Sequence, residues 1–310
     1  MRERYQIFLI LILALLKFYD LDFAEVQAWD EAMYAVRARS VLIFGDWLDQ
    51  AAHSVGGLYS AAHPPLFIWL TALSMKVLGD TASALRFPSA FFGAATILLV
   101  LFTPRDRKAG FFAAIILGTC SFFDYYSHQG QLDVLFTFFI TAGVCSFSQY
   151  ERQGQHRWLI ATGIAGGLVA MSKIIVGVFL PAILGFYLLL LVIRERKSTR
   201  SAMKEWGVVL CLTLVIAAPW HVSMYLHHGQ EFLRQYFLFH VIERSISGVE
   251  QNIRILGPLF YINQLIVLLP AATAIAIWRM IRVEPGERES LHLWFIAFLI
   301  PFLVFSLSRT

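Results

Sequence analysis

Residues 27–36 read QAWDEAMYAV and place Asp30 beside Glu31. Adjacent carboxylates can accept protons and gather cations, or they can simply open a helix, because acids in a first turn complement the helix dipole. On a helix the two point about 100° apart, so they cannot both address one reacting atom. Tyr34 and Arg37 follow Asp30 by four and seven residues, on the same helical face, and are candidates to line whatever Asp30 serves. Farther along, His63, Arg86, Asp133 and Lys173 are further ionisable residues set in apolar surroundings. The chemistry they can do together depends on whether the chain brings them to one place.

Composition settles the class of chain that must do so. A mean hydropathy of +0.65 over 310 residues, with 27 Phe and only 15% charged residues, exceeds what a soluble domain of this size can bury. Runs such as QIFLILILALLKFY, FLPAILGFYLLLLVI and WFIAFLIPFLVF fit lipid-facing helices. Asp20 and Asp22 follow the first run without a small-residue cleavage site, which predicts an uncleaved first span. The formal charge of +4 is no nucleic-acid signature here, because in membrane proteins Lys and Arg mainly set orientation. Cys120, Cys145 and Cys211 lie in apolar runs with no paired spacing and read as packing residues.

Five basic segments interrupt the apolar runs: MRER, PRDRK at 104–108, ERQGQHR at 151–157, RERKSTRSAMK at 194–204 and RMIRVEPGER at 279–288. Together they hold fifteen of the 25 Lys and Arg, which places all five on the cytoplasmic side. Two spans then fill 110–149, turning at DYYSHQGQLD, and two short ones fill 158–193, turning next to Lys173. Two more lie in 206–278, joined by an outer loop over about 223–256. Pro65 to Gly79 is too short to cross and is predicted to lie at the outer interface. The expectation is an all-α polytopic protein, residues 1–310 forming one membrane domain of about nine spans, with interfacial helices in a first outer loop over 20–86. Asp30, Glu31, His63, Arg86, Asp133 and Lys173 all fall on the outer face. Ionisable groups converging near membrane depth mark a functional site.

These residues sit in motifs that follow one another in a recognisable order. The acidic pair, GDWL (45–48), HPPL (63–66), ALRFPSA (84–90), Q-x-D (131–133) and MSK (171–173) are followed by APW (218–220), EFLRQYFLFH (231–240) and SLSRT (306–310). In this order the chain resembles the GT-C glycosyltransferases, and within them the protein O-mannosyltransferases and lipid A aminoarabinose transferases. Two departures stand out. His63 stands where the aminoarabinose branch usually has Lys, as in the mannosyltransferase branch. Members also usually continue past S-x-S-R-T with more spans and often an outer domain, so the C-terminal part of the family pattern is expected to be missing.

The resemblance implies transfer, with inversion, of a sugar from a polyprenyl-phosphate donor to a lipid A, glycan or protein acceptor. It implies a bacterial inner membrane and a site on its periplasmic face. By the same resemblance Asp30 is the base, Glu31 organises the cations around it, and Asp133 steers the acceptor or a metal. Arg86 matches the phosphate-binding arginine, with Lys173 and His63 as second candidates. No cofactor requirement is visible, no metal ligands are assigned, and a divalent metal stays open. The histidines on the outer side match no ligand motif. Each residue also has a plainer reading: Asp30–Glu31 as helix-opening acids, Arg86 and Lys173 as snorkelling side chains, and His63 and Asp133 as caps. Two other functions stand beside the transferase, a flippase of lipid-linked sugars and a truncated inactive member. A transporter should show related halves with broken helices near the midplane, and no such internal repeat is visible.

Overall fold

The computed structural model describes residues 2–104, 107–173, 175–243 and 288–307. Among these residues every regular element is a helix, and there is no strand. That follows from the apolar sequence, since a backbone in lipid must satisfy its own N–H and C=O groups. The helices are α1 (Arg2–Leu15), α2 (Asp30–Phe44), α3 (Leu58–Ala61), α4 (Leu66–Leu78) and α5 (Ala82–Phe102). They continue with α6 (Arg107–Gly118), α7 (Ser121–Ser127), α8 (Asp133–Gln153), α9 (His156–Ala170), α10 (Phe179–Ile193), α11 (Thr199–Leu233) and α12 (Arg288–Leu307).

Three stretches are long and apolar enough to cross a membrane: Ala82–Phe102, Val176–Ile193 and Thr199–His240. The α6–α7 pair, bent by 67°, makes a fourth if it counts as one broken span. The described helices thus give three or four such spans where the basic segments predict about nine. α1 and α9 have 14 and 15 residues, short of the roughly 20 that a bilayer needs. The loop expected over 223–256 is helical as far as it is described. α11 runs on to Leu233, and Arg234–Glu243 forms π-helical turns. Gly229, at φ 54° and ψ −131°, breaks α11 in a conformation that side-chain-bearing residues rarely adopt. Residues 244–256 and the span expected within 244–278 lie outside the described residues.

The chain divides into two compact units, the first of Met1–Ala142, Met171–Lys173 and Pro219–Phe232. In the first, α2, α4, α5 and the start of α8 share one core, built from Ala38, Val41, Phe67, Ile68, Ala72, Leu85 and Leu135. A second cluster joins α1, α5 and α6 through Ile10, Ile97, Leu101 and Ala114. Within the second unit, α9 lays glycines against α11: a Cβ on Gly163 would stand 2.7 Å from Leu212, and Gly166 and Gly167 meet Thr213 and Ile216 just as closely. Small residues let the two backbones approach where lipid offers helices no hydrophobic drive to associate.

α4 has the bounds its flanking residues predict. Pro65 caps its start and Gly79, at φ 87°, ends it, with the Gly79 N–H donating to Met75 O. Its 13 residues span about 20 Å against an apolar membrane thickness of about 30 Å. Single cysteines at Leu48 and Asp80, in a background lacking the three native ones, are therefore expected to react equally with an impermeant thiol reagent added outside. Labelling of Leu48→Cys alone, with Asp80→Cys reacting only after permeabilisation, would show that α4 crosses.

Candidate active site

The chain has no regular structure between Phe18 and Asp30, and one side chain organises this stretch. Arg86, on the second turn of α5, is 2% exposed and uses all five of its N–H groups. Its Nε donates to Glu31 Oε1 at 2.8 Å and its Nη2 to Glu31 Oε2 at 3.1 Å. The remaining donors reach the carbonyls of Leu21 (2.7 Å), Ala24 (2.8 Å) and Glu25 (3.0 Å). Glu31 is fully buried and accepts two further bonds, from Gln27 N at 2.7 Å and Gly130 N at 2.7 Å. Burial by itself would raise the Glu31 pKa, but the Arg86 hydrogen bonds and those from Gln27 and Gly130 bring it below the ordinary 4.5. Gly130 fits there because it lacks a side chain: a Cβ would lie 2.6 Å from Leu85 and 3.0 Å from Glu31 Oε1.

Arg86, expected to bind the donor phosphate, here has all five donors engaged by the protein and holds the segment that leads into Asp30. Glu31 pairs with a buried cation, Arg86, inside the scaffold. Asp30, one residue away, is exposed, and among the described residues its carboxylate takes no hydrogen bond. Trp29, just before it, is 81% exposed and takes φ 73°. For a bulky residue that conformation costs about 1–3 kcal/mol.

A second cluster assembles around Asp133. Its Oδ1 lies 3.2 Å from Lys173 Nζ, and both side chains are about a third exposed, at 34% and 39%. Lys173 also stands 5.2 Å over the Phe136 ring, one turn into α8. Met171, at the start of MSK, accepts Leu66 N at 3.1 Å, which ties that loop to HPPL. His63 is half-buried, and its carbonyl accepts Arg37 Nη2 at 3.0 Å. Arg37 is 1% exposed and also donates through Nε to Gln50 Oε1 at 2.9 Å. Burial pushes its pKa down to about 10, with Tyr34 opposing, so it stays charged near neutrality. Tyr34 lays its ring edge-on to Phe67, with centroids 5.5 Å apart. Arg37 and Tyr34, expected to line the site, are engaged in packing here, Arg37 with Gln50 and the His63 carbonyl and Tyr34 with Phe67 of α4.

The other motifs join the same unit. Trp69 Nε1 donates to Trp47 O at 2.5 Å, Trp220 Nε1 of APW to Leu48 O at 2.9 Å, and His228 Nε2 meets Asp49 Oδ2 at 2.8 Å. Among the described residues no three His, Cys, Asp or Glu side chains gather where they could hold a metal. Sequence reasoning missed Gln27 and Gly130, which set Glu31 in place. Gln27 had a signal, a Glu four residues on that can reach back to its backbone N–H as in a capping box. The signal of Gly130 was its place in QGQLD, three residues before Asp133.

A family model described as dolichyl-phosphate-mannose-protein mannosyltransferase matches residues 62–222. An undecaprenyl phosphate-alpha-4-amino-4-deoxy-L-arabinose arabinosyl transferase of Pseudomonas fluorescens is 28% identical over 97% of this chain and 52% of its own. The corresponding transferase of Edwardsiella ictaluri is 27% identical over 90% of this chain and 51% of its own. Among solved structures, ArnT from Cupriavidus metallidurans bound to undecaprenyl phosphate superposes with a TM-score of 0.81 at 21% identity, covering 98% of this chain and 56% of that one. The Saccharomyces cerevisiae Pmt1–Pmt2 complex bound to the sugar donor gives 0.57 at 23% identity, over 75% of this chain and 34% of that one. The helical scaffold is thus that of the GT-C membrane glycosyltransferases. The chain belongs to the dolichyl-phosphate-mannose-protein mannosyltransferase family, whose model covers more than half of it, and it spans about half the length of the curated relatives it matches.

The Arg86–Glu31 pair sets a stability test. Leaving one buried partner without the other costs about 3–5 kcal/mol, so Arg86→Ala is expected to lower the melting temperature of the purified protein sharply. Arg86→Lys, with three donors for five acceptors, should recover only part of the loss. Because the folded Glu31 pKa is depressed, the pair's contribution is complete above about 4.5 and fades as pH falls through the lower folded value. Glu31→Gln should therefore flatten the acid limb of the stability profile. An Arg86→Ala protein that melts like the parent would return Arg86 to the list of ligand-binding groups.

Proposed function

We propose that the chain carries the catalytic unit of a membrane glycosyltransferase that moves a sugar from a polyprenyl-phosphate donor to an acceptor on the outer face, with inversion. The observation that carries this reading is the division of labour at the start of α2. Glu31 is buried and consumed by Arg86, whereas Asp30 is presented to solvent without a partner. A structural acid would be paired, whereas a base must be free to take a proton. The names of the relatives, and the undecaprenyl phosphate held by the structural neighbour, support a lipid-phosphate donor.

In the proposed reaction the acceptor hydroxyl gives its proton to Asp30 as its oxygen attacks the anomeric carbon from the face opposite the phosphate. The bond from that carbon to the phosphate oxygen breaks, its electron pair stays on the oxygen, and polyprenyl phosphate leaves. Lys173 supplies the positive charge for the departing phosphate, in place of Arg86, and Asp133 aims the ammonium. Lysine serves as a compact point charge, without the planar fork an arginine would offer. His63, three residues before the Leu66 that bonds Met171, is a second hydrogen-bond donor to the phosphate in the scheme. The scheme draws positive charge from the protein's own side chains. An amino-pentose is the donor sugar we favour, from the relatives' names, with a mannosyl donor as the comparison. The site is taken to open to the periplasm of a bacterial inner membrane.

Asp30→Asn keeps size and hydrogen bonding but is a far weaker base. With a hydroxyl acceptor its transfer rate is expected to fall about 10²- to 10⁴-fold, measured in membranes supplied with labelled undecaprenyl-phosphate sugars. A phosphate acceptor, already ionised, would show a smaller loss. Lys173→Ala should raise the donor concentration needed by roughly tenfold or more, since a charge-assisted bond contributes about 1.5–3 kcal/mol. An Asp30→Asn protein that is inserted normally and transfers at the parental rate would remove the base and, with it, this mechanism.

A further inference from the structure

We propose that Trp29 is the stacking platform for the sugar ring of the donor. The inference deepens the functional reading above and rests on Asp30 as the base beside that sugar. Three observations carry it. The first is conformational. At φ 73° and ψ −114° a glycine would be comfortable and a tryptophan is strained. The backbone is held there from both sides. Gln27 N donates to Glu31 Oε2, Ala32 N donates to Gln27 O at 3.1 Å, and Met33 N donates to Trp29 O at 2.8 Å. The turn that the buried Glu31 builds therefore fixes where the indole goes, and it goes outward, immediately before the unpaired carboxylate of Asp30.

The second observation is exposure. The side chain is 81% exposed, so a glycine would remove both the strain and a large apolar surface. A tryptophan kept under both penalties is of use while it is exposed. The third is the company it keeps. Asp20, Asp22, Glu25 and Asp30 are all exposed in the same short segment. Tyr19 and Phe23 are exposed there too, but ionised carboxylates are costly among acyl chains, which holds the segment to the water side of any interface, where the indole can meet a sugar. A large rigid aromatic face in water, beside a proton acceptor, fits a sugar. The C–H groups of one pyranose face carry partial positive charge and rest on the electron-rich ring, while the hydroxyls keep their water or polar partners. A cationic amino group on the sugar adds attraction to the ring and to the surrounding carboxylates.

The test compares two lipids binding to the full chain in nanodiscs: undecaprenyl phosphate, and the same lipid carrying 4-amino-4-deoxy-L-arabinose. Trp29→Gly removes the ring at a position where glycine suits the backbone, so the melting temperature should hold or rise. It is expected to weaken binding of the sugar-bearing lipid about tenfold while shifting the bare lipid by less than about twofold. Trp29→Phe should retain most of the affinity for the sugar-bearing lipid. Equal weakening of both lipids would make Trp29 a contact for the lipid chain or phosphate and overturn the platform. Undiminished binding of the sugar-bearing lipid to Trp29→Gly would overturn it as well. A parent protein that binds neither lipid would instead sink the donor reading on which the platform stands.

Discussion

A guanidinium and a carboxylate removed together from water each lose several kcal/mol of hydration, and their attraction offsets that only if every donor and acceptor finds a partner. Arg86 and Glu31 meet this condition. Five donors meet five acceptor positions on one side, and four donors converge on one carboxylate on the other. The pair touches four separate pieces of chain: the irregular segment 21–25, the first turn of α2, the second turn of α5 and the loop before α8. None of these is fixed by secondary structure alone where they meet. What Asp30 faces, where Trp29 projects and how the Asp133 loop approaches all follow from this one contact.

Around it, weaker bonds do the joining. Indole N–H groups on Trp47 and Leu48 carbonyls, Arg37 on the His63 carbonyl, and Leu66 on Met171 all end on backbone oxygen. A carbonyl is available at every residue, so such links place less demand on side-chain identity at the receiving end. This explains how motifs scattered over some two hundred residues come to occupy one unit. It also separates roles within the charged residues. Those with every group satisfied, Arg86 and Glu31, shape the site, and those left partly exposed, Asp30, Asp133 and Lys173, are the ones able to meet a substrate.

Much of this was legible in the sequence because its signals are local. Pro65 and Gly79 bound α4. The order of the polar motifs carried the family. The number of spans was less legible, because a rule based on charge assigns sides and says nothing about helix length, and α1 and α9 proved short. The engagement of Arg86 was hidden for a related reason. An arginine near phosphate chemistry suggests a phosphate ligand, and only the positions of three backbone carbonyls sixty residues earlier reveal that its donors are used. Tyr34 and Arg37 follow Asp30 at helical spacing, but spacing alone does not say which of these residues turns inward.

The same three carbonyls carry a consequence for how the protein is made. Leu21, Ala24 and Glu25 lie 61 to 65 residues before Arg86. The irregular stretch before Asp30 has few hydrogen bonds of its own, so its final course waits until α5 has been synthesised. At about 5–20 residues per second, that leaves this acidic, aromatic stretch without its organising partner for on the order of several seconds. The order in which helices reach the membrane thus decides when the region around Asp30 takes shape, and a pause in translation before Arg86 would lengthen that interval without altering a single residue of the finished protein.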